Sequence, residues 1–131
     1  MEKKGRRFTP DYRVFVLLGN ADYGNRRKDE GYAGFCDLPA VYNDLDNMRQ
    51  GLKDKLGAQD SEITELRDAD FARISATLQS TNERIILNWA RGKKKTLVLV
   101  YYAGHGVMKN FTNIVCNDAR RPHNIFYPLE K

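Results

Sequence analysis

Two histidines and two cysteines are the imidazoles and thiols this chain offers, and only one of them stands in a setting made for chemistry. His105 lies between Gly104 and Gly106, directly after Thr96-Leu97-Val98-Leu99-Val100-Tyr101-Tyr102, the most strand-like run in the sequence. A strand that stops in a Gly-His-Gly turn holds an imidazole on a rigid element at a rim. The flanking glycines let the backbone turn tightly and leave the Gly106 amide open to a ligand. An ordinary imidazole pKa of roughly 6.5 suits proton transfer near neutral pH. The competing reading is a polar strand-end histidine hydrogen-bonded in its own turn. Cys36 sits in a loop near the same rim, and Cys116 falls in the short strand-like segment Asn113 to Cys116, where packing is its expected role. The pair is too few for a disulfide scaffold and lacks CxxC spacing, so reduced thiols are expected. His123 follows Arg120-Arg121-Pro122 in a polar stretch and reads as solvated.

The elements that must position His105 follow from hydrophobic pattern. Val14-Phe15-Val16-Leu17-Leu18 is continuously apolar up to Gly19, as in a strand buried on both faces. Asn20 to Asp37, with Gly24, Gly31 and Gly34, reads as a long functional or mobile loop. Pro39 can open a helix, in which Val41, Leu45, Met48, Leu52 and Leu56 form one stripe that Gly57 ends. Asp44 near its start reads, taken alone, as a first-turn carboxylate favoured by the helix dipole. Glu62 to Arg67 suggests a short strand. Asp70 is placed to cap a second helix carrying Phe71, Ile74, Leu78, Ile85 and Trp89 on one side, weakened at Thr81 and Asn82 and closed by Gly92. Strand, helix, strand, helix, strand at this spacing is a right-handed βαβαβ unit. The expected fold is α/β: a three-layer α/β/α sandwich on an open, mostly parallel sheet, with function beyond the carboxyl ends of its strands.

Composition narrows the class. The chain has 131 residues, 41% hydrophobic and 30% charged, enough for one domain and one core and too few for two. No apolar run approaches the roughly 18 residues of a membrane span. The basic start, Lys3, Lys4, Arg6 and Arg7, is not followed by an apolar signal segment, so a cytoplasmic or nuclear protein with no membrane partner is expected. Residues 1–12 read as a basic flexible segment and 13–131 as the folded domain. The net charge of +5 comes from clusters at Lys3-Lys4, Arg6-Arg7, Arg26-Arg27-Lys28, Lys93-Lys94-Lys95 and Arg120-Arg121. These are compatible with nucleic acid or an acidic partner. Each falls in a loop or tail without interleaved aromatics, so solvated loop charge is the preferred account. Gly19-Asn20-Ala21-Asp22-Tyr23-Gly24 lacks the Gly-x-Gly-x-x-Gly spacing of dinucleotide binders.

The run Leu97-Val98-Leu99-Val100-Tyr101-Tyr102-Ala103-Gly104-His105-Gly106 closely resembles the histidine motif of the caspase-like cysteine peptidases, the group of caspases, metacaspases and paracaspases. Its Tyr-Tyr-Ala-Gly-His-Gly form looks most like paracaspases, with metacaspases next. Val14 to Leu18 with Gly19-Asn20 and Tyr23 resembles the family's first strand and its Gly-Asn-x-x-Tyr continuation. Leu38 through Met48, with Asn43-Asp44 and Asn47-Met48, resembles the segment that opens the first helix in metacaspases. Phe111 to Ala119 has the shape of the strand and loop after the histidine motif, and Tyr127-Pro128-Leu129-Glu130 looks like the start of a further helix.

The resemblance, which spans Arg13 to Glu130, implies the amino-terminal part of a p20 domain and a cysteine-type endopeptidase. It makes His105 the general base and acid of a Cys-His dyad and the Gly106 N–H an oxyanion-hole donor. It puts a buried Asp44 carboxylate at the floor of the S1 pocket, where it would favour Arg or Lys over Asp at P1. The partner is then a protein or peptide substrate. The family's nucleophile follows a fourth strand several tens of residues past the histidine, whereas this chain ends 26 residues after His105. The expectation is a chain that supplies no nucleophile and is inactive alone, being a fragment, a subunit completed by another chain, or a noncatalytic scaffold. Without that strand, Leu97 to Tyr102 is expected at a sheet edge that another chain could cover. Metacaspases often depend on calcium, but the acidic residues responsible are expected past this chain, and no cofactor is assigned to it.

Overall fold

Five consecutive apolar residues can be hidden only if both faces of their strand are covered, and Val14 to Leu18 are at most 2% exposed. They lie in β1 (Tyr12–Gly19), the middle strand of a parallel sheet in the order β2-β1-β3, with β2 spanning Ile63–Arg67 and β3 Thr96–Ala103. The computed structural model describes residues 9–23, 36–109, 111–116 and 126–128. The strand's two-residue period sorts its side chains. Phe15 and Leu17 pack with Val41, Leu45 and Leu52 of helix α1 (Ala40–Leu56), whereas Val14, Val16 and Leu18 pack with Leu66, Ala69 and Ile74 at the start of helix α2 (Phe71–Ala90). The outcome is a helix on each face of a mixed α/β fold.

The end of α1 and the start of α2 are set by local chemistry. Gly57 takes a left-handed conformation, φ 62°, and its N–H bonds back to the Lys53 carbonyl at 3.1 Å, closing α1. The Asp70 carboxylate accepts the Arg73 N–H at 2.8 Å, capping α2. Leu45 is fully buried, and Gly19 ends β1 so close beneath it that a Cβ there would lie 2.8 Å from Leu45 Cγ and 2.9 Å from Val41 Cγ1. Leu45→Ala should therefore cost about 2–5 kcal/mol, read as a lower denaturant midpoint at unchanged m-value.

Arg13 links β1 to the end of α1. Its guanidinium grips Glu62 at 2.8 and 2.9 Å and donates to the Leu56 carbonyl at 2.6 Å. The hydrogen bond from Arg13 holds the Glu62 carboxyl below the usual glutamate range. A carboxyl whose pKa is depressed by folding adds stability above its unfolded value and loses it as pH falls through the folded one. Thermal stability should therefore drop on acidification below about pH 4.3, and less steeply in Glu62→Gln.

Several elements differ from the sequence expectation. A second sheet follows β3, antiparallel and ordered β4-β5-β6: β4 (Gly106–Lys109), β5 (Phe111–Val115) and β6 (Phe126–Pro128). Tyr127 and Pro128, expected at the start of a helix, belong instead to a strand paired with Ile114 and Asn113, and Leu129 and Glu130 lie outside the described residues. Proline is tolerated because β6 lies at the edge of that sheet. In α2, Phe71 and Trp89 stay 37% and 54% exposed, because the sheet beneath is too narrow to cover a 20-residue helix from end to end. The loop residues Gly24, Arg26, Arg27, Lys28, Gly31 and Gly34, and Lys3, Lys4, Arg6, Arg7, Asn117, Asp118, Arg120, Arg121, Pro122 and His123, lie outside the described residues.

Candidate active site

The three parallel strands finish level, Gly19 opposite both Arg67 and Ala103, so the residues that follow them converge on one rim. Asn20, buried at 1% exposure, stitches that rim together. Its backbone N–H donates to the Ala103 carbonyl at 3.0 Å, its Nδ2 to the Val115 carbonyl at 3.0 Å, and its Oδ1 accepts the Ala69 N–H at 3.1 Å. Asp68, after β2, adopts a left-handed φ of 56°, which Asp tolerates better than most residues. Its Oδ1 accepts the Ala21 and Asp22 N–H groups, both at 2.8 Å, and its Oδ2 accepts the Tyr42 hydroxyl. That last bond, with a smaller contribution from burial, pushes the Tyr42 phenol up to about 12.

His105 follows β3 and is held from several sides. Its N–H donates to Tyr23 Oη at 2.9 Å, and its carbonyl accepts Tyr102 Oη at 2.6 Å and the Val115 N–H at 3.0 Å. The Tyr23 ring meets the imidazole edge to face with centroids 4.8 Å apart. Nε2 is 2.9 Å from the Cys36 carbonyl oxygen and 3.8 Å from Cys36 Sγ. A carbonyl can only accept, so the neutral ring carries its proton on Nε2 and its lone pair on Nδ1. Cys36 is exposed and Cys116 fully buried in the α2-side core.

Gly104 is the tightest point of this turn. Its φ is 154°, and a Cβ there would run into the Tyr102 hydroxyl, lying 2.8 Å from Cζ, and reach 2.9 Å from Tyr23 Oη. Gly104→Ala should therefore displace one tyrosine or the turn and cost about 1–3 kcal/mol, seen as a lower melting temperature with an altered His105 amide resonance.

Between the start of α1 and the end of β3 lies a cavity of about 500 Å³ whose wall includes Asp37, Leu38, Asp44, Tyr101 and Gly104, the residue before His105. Asp44 is exposed to it, where the resemblance implied a buried carboxylate, and it makes no ion pair among the described residues. Because α1 begins at Ala40, Asp44 stands beyond the first turn, where the helix dipole acts most strongly. Gly106 opens β4 opposite Ile114 and is exposed. His105 and Gly106 thus share the turn after β3 with the Cys36 carbonyl against the ring, an unforeseen neighbour, while Asp44 lines the cavity that Gly104 also borders.

No protein-family model, curated protein or solved structure matches the chain.

Among the described residues no cluster of three or more His, Cys, Asp or Glu could hold a metal ion. None of the described helices is long and apolar enough to cross a membrane. Of the basic clusters, Lys93 to Lys95 is described: it is exposed, with Lys94 Nζ 4.8 Å over the Trp89 ring. Sequence reasoning missed Asp68 and the Cys36 carbonyl. An aspartate directly after a strand, at the carboxyl rim of a parallel sheet, was a readable signal for the first. A backbone acceptor has none.

Proposed function

We propose that this chain carries the general base, one oxyanion donor and the S1 carboxylate of a caspase-like cysteine endopeptidase, akin to paracaspases and metacaspases, that cleaves after Arg or Lys. In this reading the fold is the amino-terminal part of a caspase-like α/β/α sandwich. The observation that carries it is an imidazole anchored at Nε2 by the Cys36 carbonyl, on a turn whose Gly104 shares a cavity wall with Asp44. A thiol passes its proton to Nδ1 of His105 and attacks the scissile carbonyl. The developing oxyanion is met by the Gly106 N–H, and His105 returns the proton to the leaving amine. Asp44, without an ion-pair partner among the described residues, receives the guanidinium or ammonium of the P1 side chain.

The nucleophile in this scheme is neither cysteine of the chain. Cys116 is buried, and Cys36 Sγ lies beside the nitrogen that already holds a proton for its own carbonyl. Cys36→Ala keeps that carbonyl and should retain activity within about threefold, the usual scale of a surface substitution; loss of activity would make Cys36 the nucleophile. The reading itself is tested by assaying the full-length gene product on fluorogenic peptides with Arg, Lys or Asp at P1. Hydrolysis of the Arg and Lys peptides that requires His105 supports it, and an inert protein favours a noncatalytic interaction domain. One feature speaks for that second reading. β3 pairs only with β1 among the described residues, and its Val98 and Val100 are 43% and 50% exposed, an apolar edge suited to another strand.

A further inference from the structure

The hydroxyls of Tyr23 and Tyr102 lie 3.4 Å apart, one bonded to the His105 N–H and the other to its carbonyl. The His105 N–H can only donate, so Tyr23 Oη accepts it at 2.9 Å. The His105 carbonyl can only accept, so Tyr102 spends its one proton there, at 2.6 Å. Tyr102 Oη is then an acceptor towards Tyr23, which must donate to it. The bonds run in one direction and close on themselves: His105 N–H to Tyr23, Tyr23 to Tyr102, Tyr102 to the His105 carbonyl. Burial raises both phenols above the ordinary tyrosine value, so both keep the protons that this order requires.

We propose that Tyr23 and Tyr102 are positioning residues of the site, whose hydroxyl ring fixes the His105 main chain and thereby the direction of both the imidazole and the Gly106 N–H. The second effect follows from peptide geometry. The His105 carbonyl and the Gly106 N–H belong to one planar trans peptide and point in opposite directions. Fixing the carbonyl with Tyr102 Oη and the Val115 N–H therefore aims the Gly106 donor, and drawing charge onto the carbonyl strengthens that donor. Tyr23 adds a link on the other side. Its own N–H is held by Asp37 Oδ1 at 2.7 Å, one residue from the Cys36 carbonyl that anchors Nε2, so main chain and ring are braced by one segment. Gly104 leaves the space the two hydroxyls occupy.

The catalytic part of this proposal rests on reading His105 as the base; the ring itself does not. Tyr23→Phe, Tyr102→Phe and the double variant separate the two. In the 131-residue chain, amide hydrogen exchange at His105 should rise roughly tenfold in Tyr23→Phe, the scale of a lost buried hydrogen bond, with β1 amides unchanged as the control for folding. Because either loss opens the ring, the double variant should exceed the single ones by no more than about threefold. In the full-length product, each single variant should lower kcat about tenfold with KM unchanged, since a misaimed Gly106 N–H is felt in the transition state. Unchanged His105 exchange in Tyr23→Phe, or effects that multiply in the double variant, overturns the ring. Altered exchange with unchanged kcat in an active enzyme overturns its positioning role. An inactive wild type defeats the peptidase reading and with it the catalytic part, while exchange still decides the ring. Should Tyr102→Phe fail to fold, Tyr23→Phe decides alone.

Discussion

His105→Ala in the full-length gene product is expected to lower kcat/KM on an Arg-P1 peptide by at least about 1,000-fold, because removing one member of a nucleophile–base pair abolishes most of what the pair contributes. The same change should leave the fold intact. The half-buried imidazole bonds at Nε2 to the carbonyl of exposed Cys36, and the bonds that secure the turn itself use the His105 backbone, which alanine preserves. Steady-state kinetics beside a melting curve checks both halves. A stable variant that retains activity within about tenfold would place the base elsewhere.

Asp44→Asn is expected to cost about 10- to 100-fold in kcat/KM on Arg and Lys peptides, the scale of losing a charge-assisted hydrogen bond. Peptides with an uncharged P1 residue should change little. Asp44 is exposed on the second turn of α1 and packs in neither core cluster, so the amide should be tolerated. Comparing Arg, Lys and norleucine at P1 in both proteins isolates the effect, since only the cationic side chains have a partner to lose. Equal losses on all three would show that Asp44 shapes the cavity without reading charge.

What the sequence disclosed about the fold was what its periodicity encodes. Val14 to Leu18 announced a doubly covered strand, Gly57 ended α1 with a positive φ, and Asp70 capped α2. Patterns misled at element ends. Leu56 belongs to the stripe of α1 yet, as its last residue, is 45% exposed. Of the short antiparallel sheet only β5 was legible, as the strand-like Asn113 to Cys116; β4 and β6 escaped because three- and four-residue strands have too little period to read.

The candidate site was legible in part. The Gly-His-Gly turn alone places His105 at a rim, since a strand end and a turn suffice to say so. What holds the imidazole was not legible. The Cys36 carbonyl acts through a main-chain atom that every residue type supplies, and Tyr23 and Tyr102 meet His105 across 82 and 3 positions of sequence. Asp68 depends on a left-handed backbone that aspartate permits without announcing it.

The most direct test of the central claim is covalent labelling of the full-length product by two peptidyl electrophiles that differ only at P1, Arg against Asp, read by intact mass. The account predicts one adduct with the Arg probe, formed on a cysteine other than Cys36 or Cys116, and suppressed in both His105→Ala and Asp44→Asn. No adduct, or equal labelling by the two probes that ignores His105, would contradict it.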